Sequence, residues 1–245
     1  SQLKILNPMP LFHISGYAAT MQGFGFKGTI VLSTSKKFSP QEICELIERE
    51  RATCIVCVPS MYQMLLDFPD LRRYDLSSLT VVASGAAKMR EETKAHLLDL
   101  FPKATYVDAY GQTENLGVAT ISFIPPDDRG RAKNGLVGKP VVGVNVRVVD
   151  DEGRDIGSGE LGELVFRSPG AMKEYYGDPE HTAEVFRGGW FHSGDLCTVD
   201  EEGNVYFVER KDLVIKTGGE KVVPIEVEET LRRHPKVADV AVIGA

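Results

Sequence analysis

The stretch Thr105-Tyr106-Val107-Asp108-Ala109-Tyr110-Gly111-Gln112-Thr113-Glu114 begins as a β-branched and aromatic run and ends as a polar turn opened by a glycine. Such a run reads as a strand. The turn then lies at the strand's carboxyl end, where open α/β sheets hold their ligands. Upstream, Lys4 to Met9, Thr29 to Leu32, Ala52 to Val58 and Leu79 to Ala83 have the same strand character, and helix-period segments separate them. Ser39-Pro40-Gln41-Glu42 has the layout of a capping box with proline at the first helical position, and Ile43, Leu46 and Ile47 follow on one face. A further helix runs from Arg90 to Phe101 and stops before Pro102. Strands alternating with helices predict a mostly parallel sheet covered on both faces.

Downstream of Tyr110 the pattern changes, because 18 of the 24 glycines fall between residues 110 and 220 and helical periodicity nearly vanishes. Alternation in Val144-Asn145-Val146-Arg147-Val148, with acidic and glycine turns at Asp150 to Gly153 and Asp200 to Asn204, predicts antiparallel hairpins in a small barrel or sandwich. Asp178-Pro179-Glu180 starts a lone short helix ending near Phe186. The last stretch reads as a hairpin around Gly218-Gly219, then a helix from Pro224 with Glu228/Arg232 and Glu229/Arg233 spaced for ion pairs, then a strand over Val237 to Ile243.

Composition removes several classes of function. The 245 residues carry 35 acidic and 28 basic side chains, a net charge of −7, and are numerous enough to bury a core without metal or disulfide staples. A nucleic-acid partner calls for Lys and Arg concentrated on one face. The basic runs here are pairs such as Lys36-Lys37, Arg72-Arg73 and Arg232-Arg233, so no nucleic acid is expected. No run approaches the roughly 20 apolar residues of a transmembrane segment, and the first residues lack the layout of a signal peptide, which predicts a cytoplasmic protein. Cys44, Cys54, Cys57 and Cys197 read as reduced thiols. Cys54 and Cys57 would point to opposite faces of one strand, which argues against a redox pair or half a zinc site. Gly23-Phe24-Gly25-Phe26-Lys27-Gly28 fits G-x-G-x-x-G, yet a dinucleotide site needs a strand before it and a helix after it. The order here is reversed.

The turn after Thr105 to Ala109 carries suggestive chemistry. Tyr110 offers an aromatic face for a purine, Gly111 admits close backbone approach, Thr113 supplies a hydroxyl for a phosphate oxygen, and Glu114 is a hard oxygen ligand suited to Mg²⁺. Alone it is a polar turn. Two later segments change its reading: Gly189-Trp190-Phe191-His192-Ser193-Gly194-Asp195 and Val208-Glu209-Arg210-Lys211-Asp212-Leu213-Val214-Ile215-Lys216-Thr217-Gly218-Gly219-Glu220. With Tyr110 to Glu114 they resemble, in order and spacing, three signature motifs of the adenylate-forming superfamily of acyl-CoA synthetases and luciferase-like enzymes. Pro10-Leu11-Phe12-His13 and Ser84-Gly85-Ala86-Ala87 resemble two more, so the resemblance covers essentially the whole chain.

The resemblance implies a ligase of the fatty-acid–CoA type. Such an enzyme uses ATP and Mg²⁺ to turn a small-molecule carboxylate into an acyl-AMP and then passes the acyl group to coenzyme A. It further implies that Gly85, Ala86, Ala87, Asp108, Tyr110, Gly111, Thr113, Asp195 and Arg210 bind the nucleotide. Asp195 would accept from the ribose hydroxyls, and Arg210 would donate to the ribose or the adjacent phosphate. Thr113, Glu114 and Lys216 fall to catalysis, Glu114 also to the metal, and His13, Gly85 and Gly111 to the substrate pocket. Without the resemblance Asp195 reads as a turn residue, Arg210 as a surface ion pair and His13 as a core residue. Asp212 matches the family's hinge, and Lys211 to Lys221 the hairpin that approaches the thiol acceptor.

Amino-acid-activating relatives place an aspartate after the aromatic residue where this chain has His13, which disfavours an amino-acid substrate. The apolar stretch Tyr17 to Gly28 favours a fatty acid over an aryl acid. An aryl-acid ligase, an aminoacyl-adenylating module, luciferase-like oxidation and a non-catalytic nucleotide-binding relative are the alternatives. The organisation expected is α/β: a parallel-sheet subdomain over 1–125, a small antiparallel β-barrel subdomain over 126–211, and the start of an α+β C-terminal domain over 212–245. The family's phosphate-gripping loop and terminal lysine have no counterpart here, which predicts an internal piece short of full turnover. A homodimer is among the expected assemblies.

Overall fold

A computed structural model describes residues 2–217, 220–234, 236–237 and 239–244. Strand β1 (Lys4–Asn7) pairs parallel with β2 (Thr29–Leu32) and with β3 (Cys54–Cys57). The same sense continues from β3 to β4 (Val81–Gly85) and from β4 to β5 (Thr105–Tyr110). The returns are made by helices α1 (Ile14–Gly25), α2 (Pro40–Glu50), α3 (Pro59–Leu66) and α4 (Glu91–Leu100). A parallel pair needs such crossovers, so the alternation legible in the sequence becomes a covered parallel sheet. Strands β6 (Thr120–Ile124) and β7 (Leu136–Pro140) then extend it antiparallel.

The core lies against this sheet. Ile5, Leu6, Ile55 and Val82 from the strands and Ile43, Ile47, Leu65 and Leu97 from the helices are all but fully buried. Each such side chain contributes about 1.5–3 kcal/mol by leaving water. Helix α2 shows how the local signals act together. The Ser39 hydroxyl accepts from the Glu42 amide, Pro40 occupies the first turn, and Ile43, Leu46 and Ile47 form the buried stripe. The expected capping box is not what forms, because the Glu42 carboxylate takes hydrogen bonds from the Ser33 hydroxyl and from the Thr34 amide and hydroxyl. The Ser35 side chain, together with those bonds from Ser33 and Thr34, holds the Glu42 carboxyl down at about 2 and ties the loop before the helix to its first turn.

The four cysteines are free and buried. Burial raises the Cys44 thiol to about 11 and that of Cys54 to about 12, so both are inert apolar fillers.

The chain divides into two compact units, Ser1–Gly143 with Pro169–Met172, and Val144–Ser168 with Lys173–Ala245. The first extends beyond residue 125, since β6 and β7 join the parallel sheet. In the second, β8 (Asn145–Val149), β9 (Gly162–Arg167), β11 (Trp190–Val199) and β12 (Val205–Arg210) form an antiparallel ladder in the order β12-β11-β9-β8, and β10 (Phe186–Arg187) adds to β11. Asp150 and Asp200 close the two hairpin turns, each accepting from backbone amides two and four residues on. The single tryptophan, Trp190, is faced by the guanidinium groups of Arg147 and Arg167, 5.1 and 4.7 Å from its ring centroid.

Helix α5 (Pro179–Val185) starts at Asp178, whose carboxylate accepts from the His181 amide. Strands β13 (Ile215–Thr217) and β14 (Glu220–Val222) pair antiparallel, and α6 (Pro224–Arg232) follows with its Glu228–Arg232 ion pair. Gly218 and Gly219, expected to turn that hairpin, lie outside the described residues. The strand expected over Val237 to Ile243 does not form among the described residues. There the Val240 amide donates to Asp239, the Val242 amide to Glu228, and the Val240 carbonyl accepts from Arg232, so side chains satisfy groups that a sheet ladder would use. Among the described residues no helix is long and apolar enough to cross a membrane.

Candidate functional site

In the first unit the carboxyl ends of β4 and β5 lie side by side, with Gly85 opposite Ala109. A side chain at 85 would sit 2.7 Å from the Ala109 carbonyl oxygen, so only glycine lets the two strands end together. Ala86 follows with φ at +68°, a left-handed backbone that costs an alanine about 1–2 kcal/mol. Strain of this kind collects where a backbone is aimed at something. Ala86 and Ala87 are exposed at this edge.

Beyond β5 the chain makes a tight polar turn. Thr113–Asn115 form a single 3₁₀ turn, the Asn115 side chain accepts from the Gln112 amide at 2.9 Å, and the Gly117 amide donates to the Gln112 carbonyl at 2.9 Å. A Cβ on Gly111 would lie 2.4 Å from the Gly117 oxygen, which is the close approach this position exists to allow. A Cβ on Gly117 would touch Ile14 and Ala18, so the turn packs against the start of α1. His13 caps that helix, its Nδ1 accepting from the Ser15 amide, and it is exposed rather than a core residue. His13, Gly85, Ala86, Ala87, Gly111, Thr113 and Glu114 therefore share the carboxyl-end side of one sheet. Thr113 is exposed, Glu114 half-buried, and Tyr110 buried.

Asp108 points elsewhere. Its carboxylate accepts from the Tyr106 hydroxyl at 3.1 Å and lies 4.0 Å from the Lys94 ammonium, with both charges inside the protein. Burial pushes the Asp108 carboxyl up to about 7 against the pull of Lys94, and burial likewise lowers Lys94, which Asp108 partly restores. Lys94 also donates to the Lys133 carbonyl. Sequence reading missed Lys94, although a lysine on the buried stripe of α4, between Thr93 and Leu97, was a visible signal.

In the second unit a bulge builds the site. Between His192 and Leu196 strand β11 spends four steps where β9 spends two, from Val165 to Glu163. Gly194 turns this loop with φ at +70°. The freed backbone groups find side chains, since the Ser193 hydroxyl donates to the Leu164 carbonyl and accepts from the Asp195 amide, while the Gly194 amide donates to Glu163. Bulges re-aim side chains in this manner. Asp195 is thereby set opposite Arg210 of β12, whose Nη1 donates to the Asp195 carboxylate at 3.1 Å and to the Ser193 carbonyl at 3.3 Å. Asp195 is buried and Arg210 half-exposed, so the pair has a dry base and a wet tip.

Asp212, in the 3₁₀ turn Lys211–Leu213 just after β12, accepts from Arg210 Nε at 3.4 Å. Lys216 lies on β13, opposite Lys221 in the register. Glu163, which sequence reading also missed, is a charged residue inside the apolar run Gly162–Arg167. Burial alone would raise its carboxyl, but the Lys211 ammonium, His192 and the Gly194 amide hold it below the usual carboxylate range.

Residues 1–176 match the family described as AMP-binding enzyme. The feruloyl-CoA synthase of an Amycolatopsis species is 38% identical over the whole chain, which covers 48% of that relative. A long-chain-fatty-acid–CoA ligase of Bacillus subtilis is 34% identical, with 98% of this chain and 42% of the relative covered. Among solved structures, the amide bond synthetase McbA of Marinactinospora thermotolerans matches with a TM-score of 0.88 at 34% identity, over 100% of this chain and 48% of that one. The O-succinylbenzoate coenzyme A synthetase of Bacillus subtilis, solved with ATP and magnesium ion, matches at 0.85 and 29%, over 100% and 49%. The chain spans about half the length of the curated relatives it matches.

Proposed function

The chain belongs to the AMP-binding enzyme family, and from that membership we propose that its protein is an acid–thiol ligase working through an acyl-AMP. A carboxylate oxygen attacks the α-phosphorus of ATP and pyrophosphate leaves. The thiol of coenzyme A then attacks the acyl carbonyl and AMP leaves, so one hard condensation becomes two easier displacements. Ligase names among the similar proteins support this, and so does the placement of the residues.

The reading rests most on the bulge that sets Asp195 against Arg210. A carboxylate with two acceptor oxygens suits vicinal ribose hydroxyls, and a planar guanidinium beside it suits a phosphate oxygen. In the first unit, Gly85, Ala86 and Ala87 present backbone at a strand end, Tyr110 and Gly111 lead into the polar turn, and the Thr113 hydroxyl is free of burial to meet a phosphate. Asp108, engaged inside the protein by Tyr106 and Lys94, would support the strand that carries this turn rather than touch the nucleotide itself. Among the described residues no cluster of three or more His, Cys, Asp or Glu forms a metal cage. Mg²⁺ is held by one or two carboxylates together with substrate phosphates, and the half-buried carboxylate of Glu114 in the turn after β5 would hold it. When bound, the ion would neutralise phosphate charge as it develops.

His13, Gly85 and Gly111 would border the acyl group. Lys216 would serve the reaction from the segment after Asp212, about which that segment would turn. The exposed apolar side chains Tyr17, Met21 and Phe24 on α1 support an apolar acid, fatty or aryl, over an amino acid.

Incubating the intact protein, of which this chain is expected to be an internal piece, with ATP, Mg²⁺ and a panel of fatty and hydroxycinnamic acids should release pyrophosphate only when an acid is present. Coenzyme A should then raise turnover, whereas an amine should not. Replacing Asp195→Asn should weaken AMP binding by about tenfold or more, the worth of a hydrogen bond to a charged group. Absence of AMP binding by the wild type would overturn the assignment, and AMP binding with no pyrophosphate from any acid would favour a non-catalytic relative.

A further inference from the structure

Glu163 is buried, with only 5% of its surface exposed, and stands apart from the residues proposed to touch the nucleotide. Its two oxygens reach the bulge of β11 that carries Asp195 and the turn that directly follows Arg210 at the end of β12. Oε1 accepts the Gly194 amide at 3.1 Å, inside the bulge and one residue before Asp195. Oε2 accepts the Lys211 ammonium at 3.1 Å, one residue after Arg210. His192 Nδ1 lies 3.3 Å and Arg187 3.7 Å from the same oxygen. Asp151 shares the Lys211 ammonium at 3.0 Å. A buried carboxylate surrounded on this scale is costly to keep unless each partner is held in place, and holding one end of each strand is what these bonds accomplish.

The geometry points to Glu163 as the positioning residue of the Asp195–Arg210 pair. One oxygen sets the bulge that aims Asp195 and the other anchors the chain just past Arg210, so the two side chains meet in a fixed register. The inference rests on the proposed nucleotide role of that pair for its binding consequence, and on geometry alone for the positioning itself. Lys211 is tethered in the same act, which restrains the chain at the residue before Asp212.

Hydrogen exchange read by mass spectrometry on the 245-residue chain separates the possibilities. Glu163→Gln keeps an oxygen for the Gly194 amide but loses the charge that holds Lys211, so exchange over residues 209–213 should rise by roughly tenfold with 192–196 less affected. Lys211→Met, a change at a half-exposed side chain, should reproduce the rise at 209–213. Glu163→Ala should raise both segments and leave β8 protected. Titration with AMP should show roughly tenfold weaker binding for Glu163→Gln, as expected when one hydrogen bond to a charged group is lost at one remove. Unchanged exchange at both segments in Glu163→Gln and Lys211→Met, or an equal rise across β8 and β9, would overturn the inference. If the wild type binds no AMP, the nucleotide assignment fails while the exchange pattern still decides the positioning.

Discussion

Replacing Gly111→Ala tests the turn that carries most of the proposed first-unit chemistry. The new Cβ would lie 2.4 Å from the Gly117 oxygen, 2.7 Å from its carbon and 2.8 Å from the Val118 Cα, all of them backbone atoms. Relief requires the 117–118 backbone to withdraw by about 1 Å, and overpacking on that scale costs about 1–3 kcal/mol. The withdrawal is opposed by two short bonds, Gly117 amide to Gln112 carbonyl at 2.9 Å and Ala119 amide to Tyr110 carbonyl at 2.7 Å. Opening either would cost about 1 kcal/mol more. For a chain of this size 2 kcal/mol corresponds to a fall in melting temperature of roughly 4–8 °C. A thermal melt followed by circular dichroism measures it, with an AMP titration alongside, where the displaced Tyr110–Glu114 turn should bind more weakly. Gly25→Ala is the control: nothing lies within 4 Å of that Cβ at the end of α1, so stability should hold or rise by up to about 1 kcal/mol. A Gly111→Ala protein with wild-type melting and wild-type AMP affinity would refute the reasoning.

Other outcomes follow from buried groups. The Asp108 carboxyl is raised to about 7 in the folded chain, so the stability tied to its proton is full below about pH 4 and lost as pH climbs through 7. Relative to wild type, Asp108→Asn should therefore gain stability between pH 5 and pH 8 in urea unfolding, and a constant difference between the two would sink the idea. None of the four cysteines should react with an aromatic disulfide reagent in the folded protein, and all four should react in denaturant, since burial both hides the thiols and raises them. One fast thiol under native conditions contradicts that. Ser39→Ala removes the α2 cap and should cost about 1 kcal/mol, visible as a shift in the urea midpoint.

The sequence made the parallel sheet legible because β1 to β5 are apolar runs punctuated by helices with ordinary start and stop signals. The 3₁₀ turn at Thr113 and the bulge at Ser193 to Asp195 were legible as motifs, yet their geometry was not, since it depends on partners far along the chain such as Leu164 and Glu163. Val237 to Ile243 shows the opposite failure. Its run of apolar and β-branched residues fits a strand, but pattern alone supplies no neighbouring edge, and Glu228 and Arg232 take its backbone groups instead. Glu42 is a third kind of miss: the spacing fitted a capping box, and nearby Ser33 and Thr34 competed for the same carboxylate. Local chemistry sets which bonds are available, and tertiary placement sets which are taken.

Trp190, bracketed by two arginines, makes the second unit optically separable. It is the chain's single indole, and the longer helices α1, α2 and α4 all belong to the first unit. Emission at long wavelength thus reports melting of the antiparallel ladder, while ellipticity at 222 nm follows chiefly the helices around the parallel sheet. Coincident curves from the two signals would mean the halves lose structure as one cooperative body, and divergent ones that each has its own melting point.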